Sequence, residues 1–133
     1  MRTLVLPRGV AAEIFRAVEK RYPLPACGLL LGRAGGDGMS DEVTGIRQAP
    51  AAALDADAAE TIGAYHSRPD GPARPPARAG GPACLVVSVR PCAAGAAIGP
   101  VCAGAGVAAE WGCWTFDKDT GTFEPRIVRL TAG

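Results

Sequence analysis

The residue types able to do chemistry crowd around the single histidine of the chain, in the tract Tyr65-His66-Ser67-Arg68-Pro69-Asp70-Gly71-Pro72-Ala73-Arg74-Pro75-Pro76. A neutral imidazole supplies a lone pair to a metal or accepts a proton. Arg68, two residues further on, does neither, because its guanidinium stays protonated and carries no free lone pair. What Arg68 and Arg74 offer instead is bidentate pairing with a carboxylate. Asp70 is a carboxylate close to His66, but in so Gly/Pro-rich a stretch its simplest reading is a solvated turn residue. From Gly71 to Ala109 there is no Asp or Glu, so a further acidic ligand must come from a distant segment. Taken alone, His66 reads as a strand-end histidine bonded to a backbone carbonyl. Cys27, Cys84, Cys92, Cys102 and Cys113 form an odd set without a C-x-x-C pair, which favours free thiols over a disulfide framework or a zinc knuckle.

These residues need elements to position them. Leu4-Val5-Leu6 reads as a short strand or the entry to a helix. From Pro7, a favourable first helical residue, Val10, Ile14, Phe15, Ala17 and Val18 recur at three- and four-residue intervals, with Glu13, Arg16, Glu19 and Lys20 on the other face. This spacing predicts an amphipathic helix ending near Tyr22-Pro23. The unbroken apolar run Cys27 to Gly32 predicts a strand buried on both faces. A Gly-rich turn at Gly35 to Gly38 leads into a strand from Glu42 to Arg47. Ala49 to Glu60 reads equally as a short helix or a loop. Strands are expected at Thr61 to Tyr65 and Cys84 to Val89. A hairpin of Trp111 to Phe116 and Thr122 to Leu130 closes around Asp117 to Gly121. Trp111 and Trp114, three apart on a strand, should point to opposite faces. The order of elements predicts an α/β or α+β fold with a mixed sheet.

With 133 residues and 13.5 kDa, the chain has room for one core, so residues 1–133 read as a single domain. Fourteen basic and 13 acidic residues leave a net charge of +1, which gives no electrostatic footprint for nucleic acid or an anionic membrane. Apolar residues make up 48% but aromatics only 5%, so a thin core is expected. No apolar run approaches the ~20 residues of a membrane span. Pro7 and Arg8 interrupt the first apolar residues before a signal segment can form, and the expected location is the cytoplasm. Residues at about 90–112 form an Ala/Gly-rich stretch of low complexity.

Two tracts, Tyr22-Pro23-Leu24-Pro25-Ala26-Cys27-Gly28-Leu29-Leu30-Leu31-Gly32 and Tyr65 to Pro75, resemble the JAB/JAMM branch of the MPN (Mov34/PAD-1) family, in its bacterial metallopeptidase-like form. Cys84 to Val89 and the closing hairpin carry the same resemblance more weakly. It implies an MPN-like mixed β-sheet with the N-terminal helix packed on it. It also implies a zinc hydrolase that cleaves peptide or isopeptide bonds at the C-terminal tails of ubiquitin-like or sulfur-carrier proteins. In active members two histidines and an aspartate hold the zinc, a glutamate takes a proton from the zinc-bound water, and a serine stabilises the oxyanion.

Matched position by position, Ser67, Pro69 and Pro75 keep the motif's frame, but of the five chemical positions only His66 keeps the family's residue. Arg68 stands at the second histidine, Ala79 at the aspartate, Pro76 at the serine and Pro25 at the glutamate. The motif therefore leaves His66 as the one metal position, no catalytic base or oxyanion group, and Arg68 and Arg74 as candidate binding residues. Cys27, near the position of the lost glutamate, reads first as a small core residue. The stretch from Pro50 to Glu60 is shorter than the family's usual connection, and Pro72 to Ala83 is built only of Arg, Ala, Gly and Pro where a second helix should begin.

Three readings follow. The first is a non-catalytic binding module that holds no zinc and either takes a ubiquitin-like or sulfur-carrier tail or pairs with another MPN domain as a homo- or hetero-oligomer. The second is a zinc metallopeptidase with a non-standard ligand set around His66. The third is a non-functional remnant.

Overall fold

Leu4 and Leu6 are fully buried and alternate with partly exposed neighbours, as the period of a half-buried strand requires. They belong to the first of eight elements in a computed structural model that describes residues 2–36, 39–49, 61–75, 83–91, 106–117 and 119–132. The elements are β1 (Thr3–Pro7), α1 (Arg8–Arg21), β2 (Cys27–Ala34), β3 (Ser40–Gln48), β4 (Thr61–Pro69), β5 (Ala83–Pro91), β6 (Gly106–Asp117) and β7 (Thr122–Thr131).

The predicted amphipathic helix is α1, which buries Val10, Ala11, Ile14 and Val18. Pro7 is not its first residue. It stays extended, at φ −60° and ψ 142°, as the cap that ends β1. Lys20 and Arg21 occupy the last turn, where cations complement the exposed carbonyls.

The expected mixed sheet closes on itself in the order β1-β3-β2-β4-β5-β6-β7. Closure follows from β1, which pairs in parallel with both β3 and β7, leaving neither terminal strand with a free edge along its paired length. β4 and β5 also pair in parallel, and the remaining neighbours are antiparallel.

Leu30, Val43, Tyr65, Leu85, Val87 and Val89 meet Leu4, Leu6 and the apolar face of α1 in the main core. Burial of each such side chain stabilises the fold by about 1.5–3 kcal/mol. On the opposite face of β2 and β4, Leu29 and Ala64 form a smaller cluster with Cys27, Leu31 and Ala49. That second cluster is why the run from Cys27 is continuously apolar. Cys84 and Cys113 are buried free thiols, and desolvation pushes them up to about 12 and about 11 respectively.

Several strands run past their expected ends, β2 to Ala34 and β3 over Ser40–Gln48 among them. β4 does not stop at Tyr65 but continues to Pro69, because Cys27 and Gly28 on one side and Val86 to Val89 on the other supply backbone partners. β5 is also longer than its apolar run, reaching Pro91. β6 starts at Gly106, within the low-complexity stretch, since Val89, Arg90 and Pro91 pair with Ala108, Val107 and Gly106. The even choice between helix and loop after Ala49 falls on residues outside those described.

Candidate functional site

The longer β4 makes His66 a residue within a ladder, with Cys27 of β2 directly across from it and Val86 of β5 on its other side. Register partners share a face, and their Cβ atoms lie about 4.5–5.5 Å apart. His66 and Cys27 thus look out together, away from Tyr65 and the main core. Tyr65 is 1% exposed, and a Cβ at Gly28 would collide with its ring; glycine there makes room for the aromatic side chain beneath the site.

Just before β2 the chain is tied to β4. Ala26 N donates to Ser67 Oγ at 2.7 Å, and Ser67 N donates to Ala26 O at 2.8 Å. This double link sets Pro25 beside His66. Both line a cleft of about 630 Å³ together with Cys27, Ser67, Tyr65, Ala17, Arg21, Gln48 and Ala49. Pro25 and His66, the residues that the resemblance sets against a glutamate and a histidine, therefore line one cleft.

The other expected site residues are placed differently. Arg68 is half-buried and does not line the cleft; its Nη2 donates to the carbonyl of Pro75 at 3.1 Å. Arg74 is exposed. Pro76 and Ala79 lie outside the described residues. Asp70, the nearby carboxylate, accepts a 2.6 Å hydrogen bond from the Tyr22 hydroxyl, while its own amide donates to Val89 O. Its φ of 58° fits the turn reading. Cys27 donates its thiol hydrogen to Ala49 O at 3.2 Å.

His66 is held below its ordinary pKa by burial and, secondarily, by the positive charge of Arg68. Both effects favour the neutral imidazole. Its Nε2 is buried with no hydrogen-bond partner, in contrast to the backbone-bonded histidine expected. Desolvation raises the pKa of Tyr65, aided by neighbouring Cys27.

Zinc does not fit this donor set. A three-ligand site needs at least two donors besides His66. Among the described residues, no group of three His, Cys, Asp or Glu side chains could hold a metal ion. Arg68 is a permanent cation on the same face of β4, Cys27 is engaged with Ala49, and Asp70 is engaged by Tyr22.

The sequence left Arg21, Gln48 and Ala49 unmarked as cleft residues. The periodicity of α1 alone does not say which side residue it places over the end of β2. The two tryptophans do point apart: Trp111 packs on the core against Phe15, with ring centroids 5.1 Å apart, whereas the ring of Trp114 lies over Gly112.

No protein-family model matches the chain, and no curated protein matches it. Solved structures do. A Desulfitobacterium hafniense protein, known from a solution structure, has a TM-score of 0.60 at 20% identity, covering 98% of this chain and 94% of its own. A JAB1/MPN domain protein from Archaeoglobus fulgidus has a TM-score of 0.52 at 17% identity, over 97% of this chain and 99% of its own. The structure described as JAMM, a metalloprotease-like zinc site in the proteasome and signalosome, has 0.53 at 17% identity, over 95% and 97%. Likeness at these identities shows the fold: an N-terminal helix packed on a mixed sheet, broadly α+β as in these MPN-type neighbours.

Proposed function

We propose that this chain is a non-catalytic binding module on an MPN-type fold, which takes the extended C-terminal tail of a ubiquitin-like or sulfur-carrier protein beside His66. The observation that carries this reading is that a half-buried imidazole shares its strand face with Arg68, a guanidinium, at the place where hydrolysis needs a second metal donor. The cleft between Pro25, Cys27 and His66 is apolar enough to take small tail residues. Arg68, two residues along β4 from His66, and the exposed Arg74 are the groups that would meet the tail's terminal carboxylate or acidic side chains, Arg68 giving up its bond to the Pro75 carbonyl. A charge-assisted pair of this kind contributes about 1.5–3 kcal/mol. Neighbouring folds that include a metalloprotease-like zinc site support a shared origin for the cleft, with zinc chemistry replaced here by arginine recognition.

The test combines metal analysis with tail binding. Protein purified without chelator should contain far less than one zinc per chain. A carrier-tail peptide with a free C-terminus should bind without being cleaved, and Arg68→Ala should weaken binding about tenfold or more. Near-stoichiometric, tightly held zinc would defeat the proposal.

One observation favours a second reading, an active zinc metallopeptidase with an unusual ligand set: the Nε2 of His66 is buried and unpartnered, as a ligand nitrogen awaiting its metal would be. Chelator-sensitive cleavage of a carrier with extra C-terminal residues, abolished in His66→Ala, would establish that reading instead.

A further inference from the structure

On the far side of α1 from the tail cleft, and sharing no lining residue with it, Phe15, Glu19, Ala108, Glu110 and Trp111 enclose a second cleft of about 390 Å³. A register shift in β6 builds it. Ser88 pairs with Glu110 and Val89 with Ala108, so Ala109 is an extra residue in the strand. Such a bulge breaks the strict alternation of faces and re-aims the side chains around it. It brings Ala108, Glu110 and Trp111 to one opening, which the second half of α1 walls from the other side.

The chemistry of the opening is one-sided. Phe15 and Trp111 form a tilted aromatic pair, their planes at 51°. A carboxylate stands on each flank, and each is anchored through one oxygen: Glu19 Oε2 accepts from Ala108 N at 3.0 Å, and Glu110 Oε1 accepts from Ala73 N at 3.1 Å. The second oxygen of each has no hydrogen-bond partner among the described residues. Among the described residues the one ion pair is that of Arg126 with Asp41, so neither glutamate is neutralised there. The sequence entering β6 brings no countercharge either, since Pro91 to Val107 contains no Lys or Arg.

We infer that this cleft is a docking site for a basic side chain of a partner protein, whose guanidinium or ammonium group would lie against Trp111 between the carboxylates of Glu19 and Glu110. An aromatic face attracts a cation through its quadrupole, and two flanking anions add Coulomb attraction in a partly desolvated space. Each carboxylate is already fixed by a backbone amide, so little ordering is needed when the cation arrives. The inference is independent of the tail cleft and stands whether or not that proposal holds.

The experiment titrates the isotope-labelled full chain with a capped arginine peptide and with its citrulline counterpart, which has the same shape without the charge. Saturable shifts of the Ala73 and Ala108 amides and of the Trp111 indole are expected with arginine, and binding at least about tenfold weaker with citrulline. Glu19→Gln with Glu110→Gln keeps an oxygen acceptor for both amides and removes the charge; it should weaken arginine binding by a similar factor without lowering the unfolding midpoint. Equal binding of the two peptides, or no shift up to the solubility limit, would overturn the inference. So would shifts that depend on protein concentration alone, which would make the face a contact between copies of this chain. The citrulline comparison uses the unaltered protein, so the test survives a double variant that fails to fold.

Discussion

Ser67 and Ala26 hold each other by two hydrogen bonds, the serine hydroxyl accepting from the alanine amide at 2.7 Å and the serine amide donating to the alanine carbonyl at 2.8 Å. Both residues are buried. The link extends the pairing of β2 with β4 by one step and fixes Pro25 at the mouth of the cleft. Ser67→Ala leaves the Ala26 N–H without its acceptor, and an unsatisfied buried donor costs about 1–3 kcal/mol. Urea unfolding should show a loss of that size. A change within 0.3 kcal/mol, about the scatter of such measurements, would mean that water or a relaxed backbone replaces the bond.

A second prediction concerns the parallel pairing of β4 with β5. Gly63 faces Ala83, and a Cβ at Gly63 would run into the Ala83 carbonyl. The obstacle is backbone, so no side-chain rotation relieves it. Gly63→Ala should therefore destabilise by about 1–3 kcal/mol, although alanine is ordinarily the better residue for chain entropy. An unchanged or raised unfolding midpoint would show that the two strands separate more easily than their register implies.

Burial and the charge of Arg68 lower the pKa of His66 in the folded state. The unfolded chain therefore takes up this proton first as pH falls. Stability is intact above the unfolded value of about 6.5, declines as pH drops toward the folded value, and stops declining from this source below it. His66→Gln removes the titration, so its unfolding free energy should fall less between neutral and mildly acidic pH than that of the unaltered chain. Parallel pH profiles for the two proteins would place the imidazole in contact with water.

The parts of this fold legible in the sequence are those in which the local pattern and the packing agree. The apolar spacing of Val10, Ile14 and Val18 marks the buried face of α1, and the runs at Cys27 and Cys84 mark strands covered on both faces. Less legible were strand ends fixed by partners. Nothing local says that His66 to Pro69 stay extended; the parallel neighbour β5 decides it. Closure of the barrel was likewise hidden, because it depends on β1 pairing with β7 across nearly the whole chain. At the candidate site, residue types told most of the story, since arginine and proline exclude ligation wherever they point. The second cleft gave no signal, because it is made by a bulge in an Ala-rich strand, and neither carboxylate belongs to a motif.

Arg126 gives the last prediction. The positions just before it in β7 read as an exposed hairpin strand, yet its side chain is only 1% exposed and meets Asp41 of β3 at 2.6 Å. The same Nη2 also reaches the Thr3 carbonyl of β1 at 3.5 Å, so one guanidinium on β7 touches both β1 and β3, and the pairing of β1 with β3 and with β7 is what closes the barrel. Its Nε and Nη1 are buried without partners, which makes this a costly charge to hold and a costlier one to abandon. Asp41→Ala removes the only counterion among the described residues and should destabilise by about 3–5 kcal/mol. Replacing both residues with apolar ones, as in Asp41→Leu with Arg126→Met, should cost clearly less than Asp41→Ala alone, because no buried charge is left behind. Chemical unfolding of the single and double variants checks this. If the double variant is the least stable of the set, the ion pair contributes attraction beyond its own desolvation, and barrel closure depends on it more than on the surrounding apolar packing.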